Sequence, residues 1–244
     1  MSILKFGGSS LMNAHAFKKV RNIIINEKNP VVVLSAVKGV TNMLESLFNY
    51  SGSDNMCYNN ILNNRINSIY TLHNEIASDL LLEESVKYKI NTILSNKLDP
   101  DKGLLNKVLK YPNNIETQYL KENILATGEQ ISCILLSNYL STKGNKSKIV
   151  EGNEIFICDS LIYSYPHDIS KVYTKNIIYP ILENNTIPIV TGFYGRDRHD
   201  NIVTLKKNGS DITATFIADA LKINTVKIYK VESNKEDTAW EKGY

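Results

Sequence analysis

Little in this sequence points to a bound metal, a membrane or a polynucleotide. Its three cysteines, Cys57, Cys133 and Cys158, form no CxxC pair, and its four histidines complete no metal-ligand spacing. An odd cysteine number without paired spacing speaks against a disulfide scaffold and for a reducing compartment. There is no signal peptide, and no apolar run reaches the roughly twenty residues that a membrane-spanning helix needs. Lysines and arginines are dispersed, the net charge is +3, and no long basic run is interleaved with aromatics. That argues against a dedicated nucleic-acid binder. No internal repeat is visible. The expectation is a cytoplasmic protein with no metal site of its own and no nucleic-acid or membrane partner.

What is present is enough apolar material for a real core. At 244 residues and 43% hydrophobic, the chain can form one domain, or one domain with a small lobe. Near its start Lys5-Phe6-Gly7-Gly8-Ser9-Ser10 follows the apolar Ile3-Leu4, so a cation and two glycines stand where a first strand turns into a helix. Glycines let backbone N–H groups approach phosphate oxygens, a following helix N-terminus adds positive potential, and lysine supplies an ammonium. The pattern is neither GxxxxGK[ST] nor GxGxxG. A second cluster, Asn208-Gly209-Ser210-Asp211, follows Lys206-Lys207 and precedes an apolar stretch suited to a buried helix, with Ser210 or Asp211 as its cap. Taken singly, the two clusters also fit a plain turn and a capped surface helix.

The coarse pattern is alternating. Ile3–Phe6 and Val31–Ser35 read as strands, each leading into a helix, at about Asn13–Glu27 and Thr41–Tyr50. These are βα units of a parallel sheet. From about Asn59 to Asn123 the pattern is mainly helical, with breaks near Asp99-Pro100 and Tyr111-Pro112. A helix from Gly128 to Leu140, strands at Lys148–Val150 and Ile155–Cys158, a helix at Ile169–Glu183 and a strand at Ile187–Thr191 follow. Tyr194–Asn201 reads as a loop or hairpin tip before a strand at Ile202–Leu205, and Val226–Tyr229 reads as a last strand. Ligands of open α/β sheets bind outside the carboxyl ends of strands, which draws attention to Lys5–Ser9, Ser35 and Gly192-Phe193.

Six short motifs stand in a specific order: Lys5-Phe6-Gly7-Gly8-Ser9-Ser10, Val33-Leu34-Ser35-Ala36, Val40-Thr41-Asn42, Thr127-Gly128-Glu129, Gly192-Phe193 and Asn208-Gly209-Ser210-Asp211. In this the chain resembles aspartokinases of the amino-acid kinase superfamily, its opening especially the kinase part of bifunctional aspartokinase–homoserine dehydrogenases. The resemblance runs from about residue 2 to about residue 228. It implies a three-layer α/β/α sandwich of the carbamate kinase-like type, mainly parallel and shortened at the C-terminus. Residues 1–244 would form one kinase domain with a helical substrate lobe at about 59–123, without ACT or dehydrogenase domains. It further implies phosphorylation of the β-carboxylate of L-aspartate by ATP with Mg2+, the first step towards lysine, threonine and methionine, and a possible homodimer.

By the same resemblance Lys5 would stabilise the transferring phosphoryl group and Asp211 would hold Lys5. Gly7, Gly8, Ser9 and Gly209 would line the phosphates. Glu129 would receive the substrate ammonium in a pocket with Ser35, Thr41, Phe193 and Ser210, and Lys207 would meet the α-carboxylate. Each has a local alternative: a solvated strand-end lysine for Lys5, a first-turn carboxylate for Glu129, an N-cap for Thr41, core for Phe193.

Two departures stand out. The family usually carries arginine where this chain has Lys207, which loses two-pronged carboxylate geometry. The family's Thr-Asp strand end and its nucleotide-holding Gly-Tyr and Asp-Pro-Arg stretch are not reproduced in Lys230–Asp237. A non-catalytic relative that binds an amino acid or a partner chain is therefore an alternative. A third reading is a superfamily enzyme acting on glutamate, acetylglutamate or a nucleotide.

Overall fold

The computed structural model describes residues 1–50, 56–159, 161, 165–230 and 241–243. Its first half runs β1 (Ser2–Phe6), α1 (Ala14–Ile25), β2 (Pro30–Leu34), α2 (Val40–Leu47), α3 (Met56–Asp79), α4 (Glu84–Leu98), α5 (Leu104–Lys110) and α6 (Ile115–Leu125). There follow α7 (Thr127–Thr142), β3 (Ser147–Val150), α8 (Gly152–Ile155), α9 (Ile169–Glu183) and β4 (Ile187–Thr191). The hairpin β5 (Tyr194–Arg196) and β6 (Ile202–Thr204), helix α10 (Gly209–Leu221), β7 (Val226–Lys230) and β8 (Glu241–Gly243) complete the order.

β1 and β2 are buried along their whole lengths, which is why their sequences read as mainly apolar runs, with Ser2 and Lys5 as the polar exceptions. They pair in parallel, Ser2 opposite Pro30 through Phe6 opposite Leu34. The sheet order is β3-β4-β2-β1-β7-β8, parallel throughout except for the antiparallel pairing of β7 with β8. Side chains alternate between its faces. Leu4, Phe6, Val32 and Leu34 join one core with α1, α2, α3 and α7, whereas Ile3, Val31, Val33 and Val190 join another with α9 and α10. A sheet with a core on each face is the expected α/β/α sandwich.

The same alternation decides where Lys5 goes. It shares the Ile3 face of β1, the face covered by α10, and lies at the carboxyl end of the strand. Phe6, on the other face, stacks on Tyr229 at 4.9 Å between centroids and 14° between planes, fixing β7 beside β1.

The helical excursion matches its sequence pattern. α4 ends at Leu98 and α5 at Lys110, one residue before Asp99-Pro100 and Tyr111-Pro112, since a residue preceding proline is driven from the helical region. Three expectations are corrected. Ile155–Cys158 is no strand: Ile155 ends α8, and Ile157 and Cys158 make only isolated bridges. Tyr194–Arg196 is strand, so only residues 197–201 form the hairpin tip, where the Asp197 carboxylate accepts from the His199 and Asn201 amides. Neither Ser210 nor Asp211 caps α10; Asn208 stands at the N-cap with φ 61°, making no side-chain cap bond. The divergent residues 231–240 and 244 lie outside the described residues.

Gly192 is a packing constraint. A Cβ there would lie 2.7 Å from Cβ of Ser210 and 2.8 Å from the Leu34 carbonyl oxygen, where no methyl fits. Gly192→Ala is expected to destabilise the fold by about 1–3 kcal/mol. The check is a lowered urea midpoint with an unchanged denaturant slope.

Candidate active site

Strands β1, β2, β4 and β7 run parallel, so their carboxyl ends open on one side of the sheet, the side where ligands of open α/β sheets bind. A cavity of about 750 Å³ lies there. Every residue given a catalytic or binding role by the resemblance lines it: Lys5, Gly7, Gly8, Ser9, Ser35, Thr41, Glu129, Phe193, Lys207, Gly209, Ser210 and Asp211. Residues far apart in the chain, and individually open to plain structural readings, therefore share one space.

Lys5 is 5% exposed, and its Nζ lies 2.7 Å from Oδ1 of Asp211 in the first turn of α10. Lys230, at the end of β7, approaches the other oxygen of Asp211 at 3.6 Å. One carboxylate thus sits between two cations at the rim of the glycine turn. The turn itself is tight. The Gly7 N–H donates to the Tyr229 carbonyl at 3.0 Å, so Gly7 offers room and not a free amide. A Cβ on Gly8 would lie 2.9 Å from the Ala36 carbonyl oxygen, so only glycine lets this turn meet the loop after β2.

Glu129 is 3% exposed. Its Oε1 accepts the Ala36 N–H at 2.9 Å, and its Oε2 is buried with no hydrogen-bond partner. Burial pushes its carboxyl up to about 8, opposed by the Ala36 N–H bond, by its own backbone N–H and by the nearby Lys5. A buried carboxyl group with one idle oxygen at a cavity wall can accept a hydrogen bond from an incoming donor.

Thr41 lies in the first turn of α2, but Gly39, with φ 85°, stands at the N-cap, so the hydroxyl of Thr41 is not a cap. Phe193 is no ordinary core residue. Its φ is 79°, a conformation that side-chained residues rarely adopt. Its N–H donates to Thr213 Oγ1 at 3.2 Å and its carbonyl accepts from the Leu205 N–H, which together fix it. Lys206 and Asn208 are also left-handed, with φ 57° and 61°. Three such residues around one cavity mark the kind of strain that functional sites store.

The sequence reading missed Glu122, Lys206 and Lys230 as members of the site, together with Thr204, Asn42 and Glu45. Glu122 had one available signal. It precedes Glu129 by seven residues, two helical turns, and Ala126 between α6 and α7 keeps helical dihedrals. Among the described residues no cluster of three His, Cys, Asp or Glu side chains is arranged to hold a metal, and no helix is long and apolar enough to cross a membrane.

Known proteins resemble this chain in sequence and fold. The chain is 29% identical to aspartokinase 2, chloroplastic, of Arabidopsis thaliana over 245 residues, covering 93% of this chain and 41% of that protein. It is 29% identical to the bifunctional aspartokinase/homoserine dehydrogenase of Buchnera aphidicola, over 94% of this chain and 28% of the other. The chain thus spans less than half the length of these relatives. The fold superposes on the crystal structure of E. coli aspartokinase III in complex with aspartate and ADP with a TM-score of 0.80, at 22% identity, covering 94% of this chain and 48% of that one. The family model described as the amino acid kinase family matches residues 1–232, nearly the whole sequence, and the chain belongs to that family.

Proposed function

We propose that this chain binds L-aspartate and MgATP in the cavity at the carboxyl ends of the strands and phosphorylates the β-carboxylate, giving 4-phospho-L-aspartate and ADP. The observation that carries the reading is the pairing of opposite recognition elements in one space: the unpartnered Oε2 of buried Glu129 and the Lys5–Asp211 ion pair beside the glycine turn. An amino acid needs an anion for its ammonium and a cation for its carboxylate; Glu129 and Lys207 supply them.

In this mechanism the attacking group is a carboxylate, ionised at neutral pH, so no general base is required. Its oxygen forms a bond to the γ-phosphorus as the bond to the ADP oxygen breaks, and no proton is transferred. Catalysis then rests on positioning and on charge. Lys5 stabilises negative charge on the transferring group, and Asp211 keeps its ammonium at the cavity wall. Gly8 and Ser9 give the phosphates close backbone approach. Ser35, Thr41, Phe193 and Ser210 enclose the amino acid. The Mg2+ arrives with the nucleotide as part of the substrate.

A second reading, binding without turnover, is favoured by Lys230. It brings a further cation to within 3.6 Å of Asp211 at the end of β7, where the Thr-Asp step of the resembled family is not reproduced. Trapping with hydroxylamine separates the two readings. Aspartyl hydroxamate formed together with ADP in equal amounts is the expected result. Binding of L-aspartate in isothermal titration without hydroxamate at any nucleotide concentration would establish the second reading instead.

A further inference from the structure

We propose that Glu122 is a positioning residue for the amino-acid end of the cavity: it holds the Thr204–Asn208 backbone in the left-handed shape that presents Lys207 to the substrate carboxylate. This rests on the proposed aspartate-binding reading and names a residue outside its motifs.

Glu122 lies near the end of α6, in the helical excursion, and its side chain is 13% exposed. Both of its oxygens are used on one loop. Oε2 accepts from the Thr204 N–H at 2.9 Å and from the Thr204 hydroxyl, and Oε1 accepts from Lys206 Nζ at 2.7 Å. A carboxylate committed to a backbone amide, a hydroxyl and an ammonium of neighbouring residues is a clamp.

The loop needs one. Lys206 and Asn208 both have positive φ, which side-chained residues populate sparsely, and they flank Lys207. The Leu205 N–H to Phe193 carbonyl bond and the Gly209 N–H to Lys206 carbonyl bond at 3.0 Å hold the loop to the other wall and close its turn. Glu122 is the attachment to the helical side. It also separates two adjacent lysines by role. Lys206 is neutralised by the clamp, whereas Lys207 makes no ion pair among the described residues and lines the cavity. The nearby cation left to meet a carboxylate is Lys207.

The test uses the full chain in three forms: wild type, Glu122→Ala, and Glu122→Ala with Lys206→Gly. Glycine adopts positive φ without the Cβ clash, so it relieves the strain that the clamp otherwise holds in place. Without ligand, amide hydrogen exchange over residues 203–210 is expected to quicken about tenfold or more in Glu122→Ala and to slow again in the double variant. With ligand, the Kd for L-aspartate is expected to rise about tenfold or more in Glu122→Ala and to fall back in the double variant, while the Kd for MgADP stays within about threefold. Unchanged exchange, or equal weakening of both ligands, overturns the inference. If Glu122→Ala does not fold, the isosteric Glu122→Gln carries the same test, with the loss of the Lys206 pair as its main effect. A wild-type chain that binds no L-aspartate refutes the proposed function, and the ligand-free exchange still decides whether Glu122 holds the loop.

Discussion

Lys5→Ala is expected to lower phosphoryl transfer to L-aspartate by about a thousandfold or more with the fold intact, the range seen when a cation or donor aimed at transition-state charge is removed. Lys5 is only 5% exposed and its ammonium is held at 2.7 Å by Asp211, so it is preorganised at the cavity wall. The fold survives because the side chain contributes charge at the cavity wall and Asp211, 24% exposed, can be hydrated and still faces Lys230. Asp211→Ala is expected to act in the same direction by releasing Lys5. Hydroxamate formation at saturating substrates gives the loss in kcat, and circular dichroism with a urea midpoint checks the fold. Turnover within tenfold of wild type in both variants would show that the ion pair is only structural.

Glu129→Gln is expected to weaken L-aspartate binding by about a hundredfold or more, because a buried ammonium would lose its charged partner. Proton linkage gives a second signature. The carboxyl in the folded chain is pushed up to about 8 from its ordinary 4.5, chiefly by burial. Between those values the folded state holds a proton that the unfolded state has released. Stability from this group is therefore full below about pH 4.5 and is lost as pH rises through about 8. Glu129→Gln should flatten that decline in urea midpoints measured across the window. An incoming ammonium favours the ionised form, so at pH 7 binding of L-aspartate to the wild type should release about 1 proton, read from titrations in buffers of different ionisation enthalpy. In Glu129→Gln the release should vanish. A wild-type binding heat independent of buffer would show that the ammonium lies elsewhere.

Much of the fold was legible because its signals are local. β1, β2 and β4 are short runs rich in apolar residues, α9 has the bounds its pattern gave, and prolines ended α4 and α5. The break between α3 and α4 was not legible. Leu81 takes φ 56° with no glycine or proline nearby, and burial of Leu80 and Leu82 against the core holds the turn. Ile155–Cys158 had a strand's composition but found no neighbouring strand beyond isolated bridges, so partner availability overrode propensity. Around the site, motif residues were recognisable as types, whereas Glu122 carries only its two-turn spacing from Glu129, Lys230 carries no local mark, and both owe their place to helix packing and strand pairing.

The sequence by itself determined most of the strands and helices, the two glycine turns and the period-two alternation that puts Lys5 on the opposite face of β1 from Phe6. These follow from sterics and hydrophobic patterning within a few residues. Only the tertiary structure decided that β7 lies beside β1, so that Asp211 meets Lys5 across the chain and Lys230 joins them. It also decided that Glu129 is buried with one oxygen idle, and that Phe193, Lys206 and Asn208 are held left-handed. Desolvation, ion pairing and strain depend on which surfaces face one another, and that is set by the packing of the whole sheet and its two helical layers.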